Sequence, residues 1–105
     1  MSKLKVLEAG ELGSTIAAGS VLVDFGAPWC GPCKALEPLL VQLGAELEGR
    51  LAVVKVDIDA TPGLAMDCGV MSVPTLLLFK DGKRLAGRTG GQSMDQLRTF
   101  VQQAL

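Results

Sequence analysis

From Ser20 to Gly26 the chain reads Ser-Val-Leu-Val-Asp-Phe-Gly, apolar on both faces of an extended strand apart from Asp24. A strand that alternates apolar and polar residues buries one face. A strand apolar on both faces needs cover on both, so this one reads as central, with helices above and below it. A helical pattern follows over Ala35 to Leu47, where Leu36, Leu39, Leu40, Leu43 and Leu47 fall on one stripe at 3.6-residue spacing. Leu51 to Ile58, interrupted by Lys55, reads as the next strand. Strand, helix and strand in that order close as a right-handed crossover with the two strands parallel.

The flanking segments fit the same plan. Leu4 and Val6 suggest a short first strand, and Glu8 to Ala18 a weak helix, with glycine at 10 and 13 and a stop at Gly19. Pro38 lies inside the leucine-striped helix and cannot donate to the carbonyl four residues back, so a kink is expected. Thr61-Pro62 has the form of an N-cap followed by a first-turn proline, and Gly69 supplies a stop, which makes Pro62 to Cys68 a short helix. Leu76 to Phe79 is a continuous apolar run. Asp81-Gly82 then makes a two-residue hairpin turn into Lys83 to Thr89, an edge strand with Leu85 as its clearest inward residue. Ser93-Met-Asp-Gln96 is a capping box opening a last helix, with Met94, Leu97, Val101 and Ala104 or Leu105 on its buried stripe. The order β-α-β-α-β-α-β-β-α implies a mixed sheet with helices on both faces. A chain of 105 residues without repeats or linkers reads as one domain, residues 1–105.

Between the central strand and its helix lies Trp29-Cys30-Gly31-Pro32-Cys33-Lys34. Two cysteines separated by two residues can close a small disulfide ring and open it again. Cys30 falls at or beside a helix N-terminus, where free N–H groups and the positive dipole end favour a thiolate, the species that attacks disulfides. The motif and its setting point to thiol–disulfide exchange. The chain has no histidine, so a Cys–His dyad cannot be built. Haem attachment through C-x-x-C-H fails because Lys34 follows Cys33. A zinc site lacks two ligands, since Cys68 is the only other cysteine, and no metal is expected. Cys68 itself is read as a small buried hydrophobe, against a second redox-sensitive thiol. Asp24 reads as a desolvated carboxyl with a raised pKa, against a solvent-exposed strand end.

The segment from Val21 to Lys34, together with Lys55, Val73-Pro74-Thr75, Phe79-Lys80-Asp81-Gly82 and Gly90, resembles the thioredoxin family over essentially the whole chain. The resemblance implies the thioredoxin fold and a protein-disulfide reductase with no bound cofactor beyond its own redox-active Cys30–Cys33 disulfide. It implies Cys30 as an exposed nucleophile and Cys33 as the resolving cysteine, with Asp24 the proton acceptor. Lys55 matches the family's lysine near that aspartate, and an electrostatic role stands beside simple snorkelling. Gly31, Pro32 and Lys34 complete the active-site loop, with Pro32 stiffening the ring. Trp29, Ala27, Pro28, the Val73-Pro74 loop with a cis bond, and Gly90-Gly91 are the implied substrate platform. For the two glycines, close approach of a partner competes with a plain strand-to-helix turn. One departure is Gly26, where many members carry an aromatic residue. Looser packing beneath the motif is expected there.

The net charge of −1 carries no basic footprint for nucleic acid. No run approaches the roughly 18 apolar residues of a membrane span, and the first eight residues lack the apolar stretch of a secretory signal. An odd count of three cysteines does not suit a disulfide-built secreted scaffold, so a reducing, cytoplasmic setting is expected. With no nucleotide-binding fingerprint, the chain needs an external electron donor. The resemblance implies thioredoxin reductase, with NADPH as that enzyme's cofactor, alongside disulfide-containing protein substrates and a monomeric state. Two rival readings remain at this point. One is a dithiol oxidase or isomerase on the same fold. The other is a redox-independent binding subunit that docks through Trp29.

Overall fold

In the strand Ser20–Gly26 only Ser20 is partly open, and every residue from Val21 to Gly26 is buried. That cover comes from elements along the whole chain. The computed structural model describes residues 4–105. Its elements are β1 (Lys5–Val6), α1 (Leu12–Ile16), β2 (Ser20–Gly26), α2 (Gly31–Glu46), β3 (Ala52–Asp57), α3 (Pro62–Asp67), β4 (Thr75–Lys80), β5 (Lys83–Thr89) and α4 (Met94–Val101), with a 3-10 turn at Gln102–Ala104. The sheet order is β1-β3-β2-β4-β5. Strands β1, β3 and β2 run parallel, while β4 is antiparallel to β2 and β5 to β4. The expected parallel β2–β3 pair is present, with Asp24 opposite Lys55.

Alternation along the central strands divides the core in two. Leu22, Leu76 and Leu78 pack with Leu36, Leu40 and Leu43 of α2 and Leu97, Phe100 and Val101 of α4. Val21, Val23, Phe25, Val56 and Leu77 pack on the other face, with Leu12 and Ile16 of α1 and Leu64 and Ala65 of α3 against them. The sheet is therefore covered on both faces, which satisfies the strands without alternation. Helices α2 and α4 are also tied at the surface. Arg98 donates to both carboxylate oxygens of Glu46, at 2.7 and 3.1 Å. The Ser20 hydroxyl donates to the Ala104 carbonyl, pinning the end of the chain to the start of β2.

Several local expectations hold. Ser93 and Gln96 form a reciprocal capping box. Asp81 and Gly82 both adopt positive φ, of 50° and 85°, and join Lys80 to its partner Lys83. Asp81 also accepts from the Gly19 N–H at 2.8 Å, so the hairpin turn is tethered to the loop before β2.

Others are corrected. Helix α1 covers only Leu12–Ile16 of the expected Glu8 to Ala18. Glu11 stands at its N-cap but turns its carboxylate to the Glu8 N–H, leaving the helix without a side-chain cap. Helix α2 runs Gly31–Glu46 with Cys30 at its N-cap and Pro32 in its first turn, as expected, so its ordered turns begin four residues before the leucine pattern at Ala35, and it contains Pro38. Thr61 precedes α3 but donates its hydroxyl to the Asp57 carbonyl instead of capping. Leu85 is not inward. Leu78 pairs with Ala86 and Phe79 with Arg84, so Leu85 is the extra residue of a β-bulge. It stands 38% exposed, and Ala86 takes the place against the core.

This reading of β5 separates two substitutions. Leu85→Ser is expected to change unfolding free energy by less than about 0.5 kcal/mol, as an exposed site does. Leu78→Ala, in the centre of the core, is expected to cost about 2–5 kcal/mol. Urea unfolding of the two variants beside the parent chain checks this. A cost for Leu85→Ser near that of Leu78→Ala would restore Leu85 to the core.

Candidate active site

Strand β2 ends at Gly26, and five residues later, at Gly31, the first turn of α2 begins. Cys30 occupies the N-cap of that helix with extended backbone (φ −87°, ψ 111°), and its sulfur accepts the Cys33 N–H at 3.2 Å. Pro32 sits in the first turn, where its missing N–H has no acceptor to lose. The pair is closed as a disulfide with Cα atoms 5.2 Å apart. The N–H groups and positive dipole end of α2 thus point at Cys30, a setting that favours its thiolate once the bond is reduced.

Cys30 departs from expectation in one respect. It is not exposed, at 5% open against 7% for Cys33. The bond to Cys33 and the N-cap contact fold its sulfur over the helix start, where Ala27, Ile58 and Val73 pack around the pair. Trp29 provides the open surface at this end, at 67% exposed. Its indole N–H donates to Asp59 at 2.9 Å, and the Asp59 N–H in turn donates to the Asp57 carboxylate at 2.9 Å. Pro28, Gly31, Pro32 and Lys34 are exposed beside it, while Ala27 is buried.

The Val73–Pro74 bond is cis. Pro74 is buried and Val73 half-buried against the cysteine pair, and the Thr75 hydroxyl holds the loop by donating to the Ser72 carbonyl at 2.7 Å. Gly90 donates its N–H to the Pro74 carbonyl at 2.9 Å with φ +82°. Apart from its chain neighbours, no described residue has a heavy atom within 4 Å of where a Cβ on Gly90 or Gly91 would sit. Within the chain, glycine at 90 is explained by its left-handed backbone, and no close contact demands it.

Beneath the disulfide, Gly26 lies against Cys33. A Cβ on Gly26 would come 3.3 Å from the Cys33 sulfur. The space at this position is thus partly filled by the cysteine itself, in place of the looser packing expected there. Gly26 also lines a cavity of about 460 Å³, shared with Asp24, Cys33, Lys34, Glu37 and Lys55 among others. Asp24 is 2% exposed, and its Oδ1 has no hydrogen-bond partner among the described residues. Desolvation pushes its carboxyl up to about 6, against the opposing pull of Lys55, and Glu37 adds to the rise. Lys55 stands opposite Asp24 in the sheet, but its ammonium pairs with Glu37 at 2.8 Å.

Asp59, Glu37 and Ile58 are site residues that the motif did not point to. An acidic pair flanking Ile58 at the end of β3, and a carboxylate four residues after Cys33 on the same helix, were the available signals. Cys68 lies away from this cluster, half-buried beside the α1–α3 layer, and burial pushes its thiol up. Among the described residues no cluster of three or more His, Cys, Asp or Glu could hold a metal ion. Among them also, no helix is long and apolar enough to cross a membrane.

The sequence model of the family described as Thioredoxin matches residues 3–103. The chain belongs to the thioredoxin family. A thioredoxin from Chlamydia muridarum is 47% identical over 98 residues, covering 93% of this chain and 95% of its own. A thioredoxin from Staphylococcus aureus is 40% identical over 105 residues, covering both chains fully. Among solved structures, a mutant thioredoxin from Halobacterium salinarum superposes with a TM-score of 0.87 at 39% identity, over 96% of this chain and 88% of that one. Like other thioredoxins, the chain is a thiol–disulfide oxidoreductase of the protein-disulfide reductase type. Its redox centre is its own cysteine pair, with no separate cofactor. Disulfide-bearing substrates and a reductase are the partners that membership in the thioredoxin family implies in general terms.

The isolation of Asp24 has a consequence for stability. Its folded pKa lies above the ordinary carboxylate value of 3.8, at about 6. The folded state therefore binds a proton more tightly than the unfolded chain does. Stability contributed by this group is lost as pH rises from about 4 to about 6, and the cost above that range is on the order of 3 kcal/mol. Asp24→Asn is expected to stabilise the protein at pH 7 by up to about that amount, with the gap closing below about pH 4. Urea unfolding of both proteins at pH 4 and pH 7 checks this. A gap that does not change with pH would show that ionisation of Asp24 is not its source.

Proposed function

We propose that the chain reduces protein disulfides with Cys30 as attacking thiolate, Cys33 as resolving thiol and Asp24 as the acceptor of the Cys33 proton. The observation that carries this reading is the N-cap geometry, in which the Cys33 N–H is donated to the Cys30 sulfur at 3.2 Å. A donor and a helix N-terminus aimed at one sulfur stabilise negative charge there, which makes Cys30 the better nucleophile and leaving group. Cys33 lies inside the first turn and faces the cavity that holds Asp24.

The reaction is a two-electron exchange. The Cys30 thiolate attacks one sulfur of the substrate disulfide. That S–S bond breaks, and the first substrate sulfur leaves as a thiolate while a mixed disulfide forms. The Cys33 thiol gives its proton to the Asp24 carboxylate and attacks the Cys30 sulfur. The mixed disulfide breaks, the second substrate thiolate leaves, and the Cys30–Cys33 bond closes. Both substrate thiolates take up protons, so the substrate gains the two electrons that the cysteine pair loses. A carboxyl with a pKa of about 6 is mostly ionised at neutral pH yet basic enough to take a proton.

Substrates would meet the platform of Trp29, Pro28, Val73 and Gly90-Gly91, with Ala27 and Pro74 buried beneath it. An extended segment could pair with the backbone of Val73 as an added strand does. The open space above Gly90 and Gly91 supports such an approach. Lys34 and Gly31 border the pair at the surface. Lys55 would act on Asp24 by charge. Thioredoxin reductase is the proposed electron donor, a reducing cytoplasm the proposed setting, and a monomer the proposed working state.

Two single substitutions test the roles. Cys30→Ser is expected to abolish disulfide reduction, and Cys33→Ser to accumulate a mixed disulfide between Cys30 and the substrate, read by mass spectrometry after acid quenching. Trapping through Cys33 in the Cys30→Ser protein, and none through Cys30, would reverse the assignment. The potential of the pair, followed by Trp29 fluorescence in a dithiothreitol buffer, is expected near −270 mV, the value established for thioredoxin. A value above about −200 mV would mark an oxidant or isomerase instead.

A further inference from the structure

The cation opposite Asp24 does not pair with it. Lys55 is its cross-strand neighbour on β3, yet the Lys55 ammonium lies 2.8 Å from Glu37 of α2, and Oδ1 of Asp24 carries no hydrogen bond. Both members of the ion pair are about three-quarters covered, with side chains 23% and 26% exposed. Charges held in that setting are weakly screened. All three residues, together with Cys33, line one cavity. We propose that Glu37 is a positioning residue for the resolving half-reaction: by holding the Lys55 ammonium, it keeps that cation off the Asp24 carboxyl and so leaves Asp24 a competent base for Cys33.

The charged and titratable groups lining this cavity can be named element by element. From α2 come Cys33, Lys34 and Glu37, and from β3 come Lys55 and Asp57. The β1 residue at the cavity is Val6, and the β4 residue paired with Asp24 is Leu76, neither of which titrates. Lys34 is exposed, so its charge is screened by water. Among the described residues, Lys55 is the only partly buried cation lining the cavity, and where its ammonium sits decides how strongly it favours ionised Asp24. Bound to Glu37, the pair is neutral as a unit, and burial keeps Asp24 protonatable in the neutral range. Released, Lys55 has Asp24 across the strand as the nearest buried carboxylate. An ion pair there would hold Asp24 ionised and weaken it as a base.

The proposal rests on Asp24 serving as proton acceptor, and the test separates the two. Asp24 is titrated through its carboxyl carbon resonance in the reduced, intact protein, independently of catalysis. Glu37→Gln is expected to lower the midpoint by about one unit, and the pH profile of mixed-disulfide resolution is expected to move down with it. Glu37→Asp, which keeps the charge, is expected to bring the midpoint back toward that of the parent. On a Lys55→Met background Glu37→Gln is expected to have a smaller effect, since it then removes only the direct repulsion between Glu37 and Asp24 and frees no cation. An unchanged midpoint in folded Glu37→Gln overturns the proposal, and so does an equal shift on the Lys55→Met background, which would mean that Glu37 acts by its own charge alone. Lys55→Met by itself is a second variant. With no ammonium between them, Glu37 and Asp24 repel, and the midpoint is expected to rise. No rise overturns the proposal even if Glu37→Gln does not fold. Failure of the acceptor reading has a different signature, in which Asp24→Asn leaves the pH profile of resolution unmoved while Glu37→Gln still shifts the Asp24 midpoint.

Discussion

Placing a carboxyl in the middle of a strand buried on both faces is the constraint from which much of this structure follows. Asp24 has Val23 and Phe25 packed into one layer, while its own side projects toward α2 with Leu22 and Gly26. A buried ionised carboxyl without a partner is costly, and the fold does not supply a direct one at Oδ1. What it supplies is a cavity, an indirect field from Lys55, and proximity to Cys33 through Gly26. The same strand therefore performs two tasks. Its apolar residues hold the sheet between its helices, and its single buried polar residue lines the cavity it shares with Cys33.

The second task depends on how β2 ends. Between Gly26 and Gly31 the chain leaves the sheet and enters α2, with Cys30 as N-cap. Because the N-cap sulfur takes an N–H that the helix would otherwise leave orphaned, the reactive group and the helix start stabilise each other. The same contact explains why Cys30 is covered. A sulfur that caps its own helix bends toward the helix axis, and the ring to Cys33 holds it there. Exposure at this end belongs to Trp29, whose indole is fixed by Asp59 at the end of β3. The exposed surface at this end and the covered sulfur are adjacent but distinct.

Much of this was legible in the sequence because it rests on local pattern. The two-faced apolar strands, the leucine stripe, the capping box at Ser93 and the Asp81-Gly82 turn each carry their signal within a few residues, and each forms as expected. What was not legible depends on contacts between segments distant in sequence. Leu85 looks inward by alternation, but the bulge opposite Leu78 and Phe79 shifts the phase of β5, and nothing within β5 announces it. Thr61 has the chemistry of a cap, but the Asp57 carbonyl takes its hydroxyl. The motif located the cysteines and Asp24. It could not show that Lys55 would be claimed by Glu37, because that requires α2 to lie across β3 in a particular register.

That competition bears on why a cavity persists beside the reactive pair. Filling it with apolar side chains would satisfy the packing of α2 on β3 but would strip Asp24 of any nearby charge and of room for a proton to move. Moving Lys55 onto Asp24 would satisfy the carboxyl but take the ammonium away from Glu37. The arrangement present satisfies neither demand fully. Glu37 and Lys55 neutralise each other, Asp24 stays buried with an open oxygen, and Gly26 brings the Cys33 sulfur close by. A site that gives up some stability to hold a carboxyl between its charged and neutral forms is what a proton acceptor working near neutral pH requires.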